Sequence, residues 1–214
     1  MHNAKLIWIT PNAEKLVAKI ARVSNPKNEN NPNSEKLIRY LIEHKHWSPM
    51  EMISACMEIH TTRAISPQIL RHRSFSFQEF SQRYAIPTDT FPTVIPNLRR
   101  QDTSNRQNSI DDLPEETIDF INERIDIHFR HATNLYNHML DKGVAKECAR
   151  SVLPLNTVTR LYMSGTIRSW LHYCDLRSGN GTQLEHKLIA DSVKKILFDQ
   201  LPLISSAMWN HETN

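Results

Sequence analysis

Glycine is scarce in this chain of 214 residues: Gly143, Gly165, Gly179 and Gly181 are the whole complement. A Walker loop needs two glycines in one short run ahead of Lys-Ser/Thr, and a dinucleotide fingerprint needs three within about six residues. Neither can be assembled here. A nucleotide bound by this protein must therefore be gripped by side chains, because the backbone lacks the freedom to cradle phosphates. Cysteine is equally sparse. Cys56, Cys148 and Cys174 are odd in number and far apart, which excludes a disulfide framework and a CxxC metal knuckle. No apolar run approaches the roughly 18 residues of a membrane span, and the N-terminus has no secretory signal pattern. A cytoplasmic protein with no membrane partner is the expectation. Net charge is only +3, with 23% charged and 39% hydrophobic residues, so neither disorder nor general nucleic-acid affinity is favoured.

Periodicity predicts an α+β fold, with a mostly antiparallel central sheet flanked by helices, in a single domain over 1–214. Lys5–Thr10 reads as a strand, and Thr10-Pro11 as the N-cap and first turn of a helix carrying Leu16, Val17, Ile20 and Ala21. Leu37, Ile38, Leu41 and Ile42 mark a second helix ending near His46. Met52–Ile59 and Thr157–Ser164 read as strands. Ser66-Pro67 opens a helix through Arg71. The Pro-, Asn- and Arg-rich segment 87–108 has no periodicity and reads as a flexible, lid-like loop. The longest helix, 113–141, has a stripe of Ile118, Ile121, Ile125, Phe129, Ala132, Leu135, Tyr136 and Met139, expected to be buried. Helices are also expected over 145–152, 168–177 and 183–201.

The stretch Gln68 to Tyr84 is unlike ordinary surface. Arg71, His72 and Arg73 stand together, followed by alternating aromatic and polar residues. If the later part is extended, Glu79, Ser81 and Arg83 project to one side and Gln82 to the other. A carboxylate, a hydroxyl and a guanidinium on one rail suit a phosphorylated ligand. A solvated helix end followed by a half-buried strand is the plainer reading of the same residues. Arg150 lies beside an apolar run and needs an anionic partner, either an acid or a ligand phosphate. Arg177 precedes a glycine turn, where helix-dipole compensation is the simpler explanation. None of the three cysteines has the surroundings of a nucleophile. His128, His131 and His138 fall on or outside the edge of the long helix's apolar stripe, so a metal site is not expected.

The run Arg71-His72-Arg73, seven residues, Ser81, one residue, Arg83 resembles the signature of the flavin-dependent thymidylate synthases. His46-Trp47-Ser48-Pro49-Met50-Glu51 resembles that family's upstream segment. Glu147-x-Ala149-Arg150-x3-Pro154-Leu155 and Leu176-Arg177-x5-Gln183-x-Glu185 resemble its two C-terminal motifs. The resemblance implies methylation of dUMP to dTMP, with methylenetetrahydrofolate as carbon donor, FAD as hydride carrier, NADPH as reductant and no cysteine nucleophile. It also implies a homotetramer with active sites shared between subunits. By the same resemblance, Gln68, Arg71, Glu79, Ser81, Gln82, Arg83 and Arg150 would hold dUMP, with Ser81, Arg83 and Arg150 on its phosphate. Arg177 would be the catalytic cation at the uracil ring. FAD would meet His46, Ser48, Arg71, His72, Arg73, Gln78, Glu79, Thr166, Arg168 and His172. Thr166 and His172 stand where many members have Asn, and Gly181 where histidine is common. Two other readings compete: a flavoprotein acting only on a small redox acceptor, and an RNA-binding domain built on the basic, aromatic stretch around Arg71.

Overall fold

The computed structural model describes residues 1–91 and 93–209. Four antiparallel strands form the main sheet: β1 (Asn3–Ile9), β2 (Ser54–Thr62), β3 (Ser76–Glu79) and a late strand, Val158–Thr166, labelled β6. Their order is β1-β2-β6-β3, with β2 and β6 paired over nine residues from Ser54↔Thr166 to Thr62↔Val158. The helices are α1 (Ala13–Ala21), α2 (Glu35–Glu43), α3 (Ser66–Ile69), α4 (Pro87–Thr90), α5 (Glu115–Asp141), α6 (Lys146–Ala149), α7 (Ile167–Arg177), α8 (Leu184–Gln200) and α9 (Pro202–Trp209). A small hairpin, β4 (Arg100–Gln101) with β5 (Ser109–Ile110), lies between α4 and α5.

Alternation along the strands sets the layers. Ala55, Met57 and Ile59 of β2 pair with Gly165, Met163 and Leu161 of β6. The bulkier of these join Trp170, Leu171, Ile189, Val193 and Leu197 in one buried cluster. On the opposite face Glu58 accepts from Tyr162 Oη at 2.6 Å and bonds His60 Nε2 at 2.9 Å. β6 passes straight into α7: Thr166 is the N-cap, its hydroxyl accepting from Ser169 N at 3.3 Å. Trp170 then donates to Ala55 O at 3.2 Å and ties the helix to the sheet.

Five expectations need correction. The first helix is not capped by Thr10, whose hydroxyl accepts from Ser54 N at 2.9 Å; Asn12, in the left-handed region at φ 52°, precedes the helix instead. α3 stops at Ile69, before Arg71. The extended segment ends at Glu79, and Ser81 O accepts from the amides of Tyr84 and Ala85, so Glu79, Ser81 and Arg83 do not share one strand face. Segment 87–108 holds α4, a bridge from Thr93 to Thr157 and half of the hairpin, leaving aside Pro92, which lies outside the described residues. Arg99 in that segment is buried to 10% exposure against Glu185 at 2.8 Å, an anchor rather than a lid. Finally, only Ala132 and Tyr136 of the α5 stripe are buried; Leu135 is 49% exposed. The periodicity is real, but this chain alone does not cover it.

Candidate active site

The turn that carries Arg71, His72 and Arg73 owes its position to Phe75. The Phe75 ring packs 4.7 Å from Trp170 and 6.2 Å from Tyr173, centroid to centroid. It also lies against Gly165, where an added Cβ would sit 2.5 Å from the ring. Any larger residue at 165 would force the ring away, so this glycine is required by close approach. Arg71 and Arg73 are exposed at the rim of the turn, while His72 turns inward.

His72 meets Arg177, the last residue of α7: Arg177 Nε donates to His72 Nε2 at 3.0 Å. The acceptor nitrogen must be bare, so the His72 proton resides on Nδ1. Burial, with the positive charge of Arg177 adding to it, pulls the His72 pKa down to about 4. Arg177 is therefore held by a neutral imidazole, not by a carboxylate. Its charge stays uncompensated by this contact, and its terminal Nη groups are the ones available to a ligand.

A polar relay runs alongside. Gln68 Nε2 donates to Gln183 Oε1 at 2.7 Å, Gln183 Nε2 donates to Glu185 Oε2 at 2.9 Å, and Arg99 Nη2 donates to Glu185 Oε1 at 2.8 Å. Burial acts to raise the Glu185 pKa, but hydrogen bonds from Arg99, its own backbone and Gln183 outweigh it and hold the group below the usual carboxylate range. The structure thus brings Arg177 to His72, 105 residues away in sequence and one turn beyond Gln68.

Other expected residues lie elsewhere on the protomer. Arg83 pairs with Glu147 at 3.1 Å, both exposed, and Lys146 Nζ donates to Tyr84 O at 3.0 Å. These contacts bind the turn after β3 to α6, whose C-cap is the half-buried Arg150. Ser81 is exposed on that turn and Gln82 is buried in it. Glu79 points inward, paired with Arg63 at 2.7 Å and accepting from Thr159 at 3.0 Å; Gln78 is exposed on β3. Arg168 pairs with Glu51, while His46 and Ser48 are exposed in the segment just before it. Arg168 and His172 line a cleft of about 510 Å³ with Lys45, Trp47, Ser74 and Leu171. That volume falls in the usual range of cofactor sites, about 300–1,000 Å³. Its lining combines the Trp47 indole and the apolar Leu171 and Met208, which suit a planar ring, with the Lys45 and Arg168 cations, which suit an anionic tail, and one carboxylate, Asp175. Thr166 contributes a helix cap beside this cleft.

Cys56 and Cys174 are buried, and burial pushes both thiols up in pKa; Cys148 is exposed. His128, His131 and His138 are exposed, and no cluster of three metal-ligating side chains occurs among the described residues. No helix among the described residues is long and apolar enough to cross a membrane.

Phe75 and His186 were missed by sequence reasoning. The alternating aromatics flagged the first only as a pattern; the second, next to Glu185, carried no signal of its own.

Guanidinium groups presented from turns and helix ends, without a phosphate-cradling backbone, suit the binding of an anion by side chains. Residues 5–203 match the family model described as thymidylate synthase complementing protein. The flavin-dependent thymidylate synthase of Synechocystis is 51% identical over 195 residues, covering 91% of this chain and 89% of that one. The enzyme of the same name from Kosmotoga olearia is 36% identical over 196 residues, covering 89% and 83%. A crystal structure of the UMP/dUMP methylase PolB from Streptomyces cacaoi, bound with 5-Br dUMP, superposes with a TM-score of 0.84 at 24% identity, covering 97% and 94%. The chain belongs to the flavin-dependent thymidylate synthase family.

Proposed function

We infer that this protein converts dUMP to dTMP, taking the carbon from methylenetetrahydrofolate and the reducing equivalents from NADPH. When bound, FAD supplies the hydride. The observation that carries the residue assignment is the Arg177–His72 contact. Methylation at C5 requires an electron-rich pyrimidine, and loss of the N3 proton makes the ring anionic. A fixed cation beside that charge stabilises it without a covalent nucleophile. A carboxylate partner would cancel much of Arg177's field, whereas a neutral imidazole orients the guanidinium and leaves its charge intact.

The remaining roles are those that membership of the family implies for the matching residues. Gln68, one turn before the His72 that holds Arg177, would offer its amide to the pyrimidine, with Arg71 at the rim of the turn. Ser81 and Arg83, with Arg150, form the phosphate end, where dUMP would displace Glu147 from Arg83; the buried Gln82 amide shapes the turn. His172 and Arg168, with Trp47 and Ser48, hold the flavin, Arg71 and Arg73 its pyrophosphate, and Gln78 and Glu79 the adjoining edge. His46 lies toward the folate.

These patches are completed by assembly as a homotetramer. The half-exposed α5 stripe supports this, since an apolar face of a 27-residue helix needs cover. Three free thiols suit the reducing cytoplasm.

The test is NADPH-dependent dTMP formation by the purified protein, with and without FAD, dUMP and methylenetetrahydrofolate. Product is expected only with all components. NADPH oxidation indifferent to dUMP would favour the small-acceptor flavoprotein, and colourless protein with salt-sensitive RNA affinity the RNA-binding domain.

A further inference from the structure

His186 sits in the first turn of α8, immediately after Glu185, and is fully buried. Its Nδ1 lies 3.3 Å from Gln68 Oε1, while its Nε2 is buried without a hydrogen-bond partner. The direction of the Gln68 relay decides the tautomer. Glu185 accepts from Gln183, so Gln183 Oε1 accepts from Gln68 Nε2, and Gln68 Oε1 is left facing His186. An oxygen there requires a donor, which places the His186 proton on Nδ1. The ring also stands edge-on to His72 at 6.1 Å and 5.7 Å from Tyr173, directly behind the imidazole that holds Arg177.

A buried, half-satisfied imidazole is costly, and an aliphatic residue would fill the space without that cost. What it supplies is a second anchor on Gln68, whose other end is fixed by Gln183.

We propose that His186 is a positioning residue for the pyrimidine-binding groups, clamping the Gln68 amide through Nδ1–H and backing the His72 ring that holds Arg177. This rests on reading Gln68 and Arg177 as dUMP contacts. His186 itself does not touch substrate. Its effect is to keep Gln68 of α3, His72 of the following turn and Arg177 at the end of α7 in one fixed arrangement before the nucleotide arrives, which lowers the ordering cost of binding.

The test uses the flavin-loaded protein and three variants. His186→Asn sets an amide N–H where Nδ1–H stands, His186→Gln sets its polar end near Nε2, and His186→Leu has neither. The expected result is that His186→Leu and His186→Gln weaken dUMP binding and lower kcat, each by about tenfold or more, while His186→Asn stays within about threefold of the parent. Flavin content and melting temperature of His186→Gln and His186→Asn should match one another. Nitrogen-15 spectra of the parent should show His186 neutral and protonated on Nδ1. Equal behaviour of His186→Asn and His186→Gln, or a proton on Nε2, overturns the proposal; if His186→Leu does not fold, that pair and the tautomer still decide it. The tautomer is read without turnover, so an inactive parent with the Nδ1–H form would count against the assigned reaction and not against the clamp.

Discussion

The two cationic patches that the proposed function assigns to dUMP are built on opposite principles. At one end Arg177 is half-buried, fixed by a neutral histidine and flanked by a relay of amides that terminates at Glu185. At the other end Arg83 is exposed and rests on an equally exposed carboxylate, Glu147. A surface ion pair of that kind contributes little, about 0–1 kcal/mol, and a phosphate can exchange for it readily. A buried carboxylate on Arg177 would instead be a permanent competitor. Under the proposed assignment, preorganised charge stands beside the ring whose charge changes during the reaction, while the phosphate, charged throughout, meets an accessible cation.

Substitutions at the two ends should therefore separate chemistry from binding. Arg177→Ala carries the largest expected effect, a loss of dTMP formation on the order of 10²–10³-fold with flavin content retained, measured by product assay beside the flavin spectrum. Near-parental turnover would remove Arg177 from the mechanism. Arg83→Ala should weaken dUMP binding by about tenfold to a hundredfold with a smaller change in kcat, measured by calorimetric titration and steady-state rates. Glu147→Gln, which removes the competitor, should leave binding equal or tighter. A fall in kcat at constant affinity in Arg83→Ala would erase the contrast between the two ends.

A smaller and purely thermodynamic effect follows from the buried imidazoles. Burial, then nearby positive charge, draws the His72 pKa from 6.5 to about 4 and that of His186 from 6.5 to about 3. Between these values and 6.5 the unfolded chain binds more protons than the native one, so stability rises with pH across that window. The contribution is complete above about pH 6.5 and is lost as pH falls through about 4 and then 3. Urea unfolding at a series of pH values should show this slope, and His72→Gln should reduce it. An unchanged slope in that variant would mean His72 is not held neutral.

Much of this arrangement was legible in the chain itself. Three of the four strands of the main sheet and the principal helices except α9 follow from periodicity, and the Arg71–Arg83 run with the motifs around Arg150 and Arg177 marks the family. What stayed hidden depends on contacts between distant segments. The strand was expected to continue past Glu79 because alternation looks the same whether or not a turn interrupts it. Segment 87–108 looked mobile because nothing local shows that Arg99 will be buried against Glu185. Phe75 positions the Arg71–Arg73 turn only because Gly165, 90 residues away, leaves room for its ring. His186 had no motif to announce it; its meaning lies in the orientation of Gln68. The α5 stripe is apolar as read, yet the chain buries only Ala132 and Tyr136 of it, because periodicity shows that a face is apolar and not what packs on it.

His72 serves Arg177 by being neutral. Comparing dTMP formation by His72→Gln and His72→Glu tests it directly, since the two side chains match in size and differ in charge. With flavin loading and dUMP affinity measured in parallel, His72→Gln is expected to keep turnover within about tenfold of the parent, and His72→Glu to fall about a further hundredfold by pairing with Arg177. Equal turnover in the two variants would contradict the account.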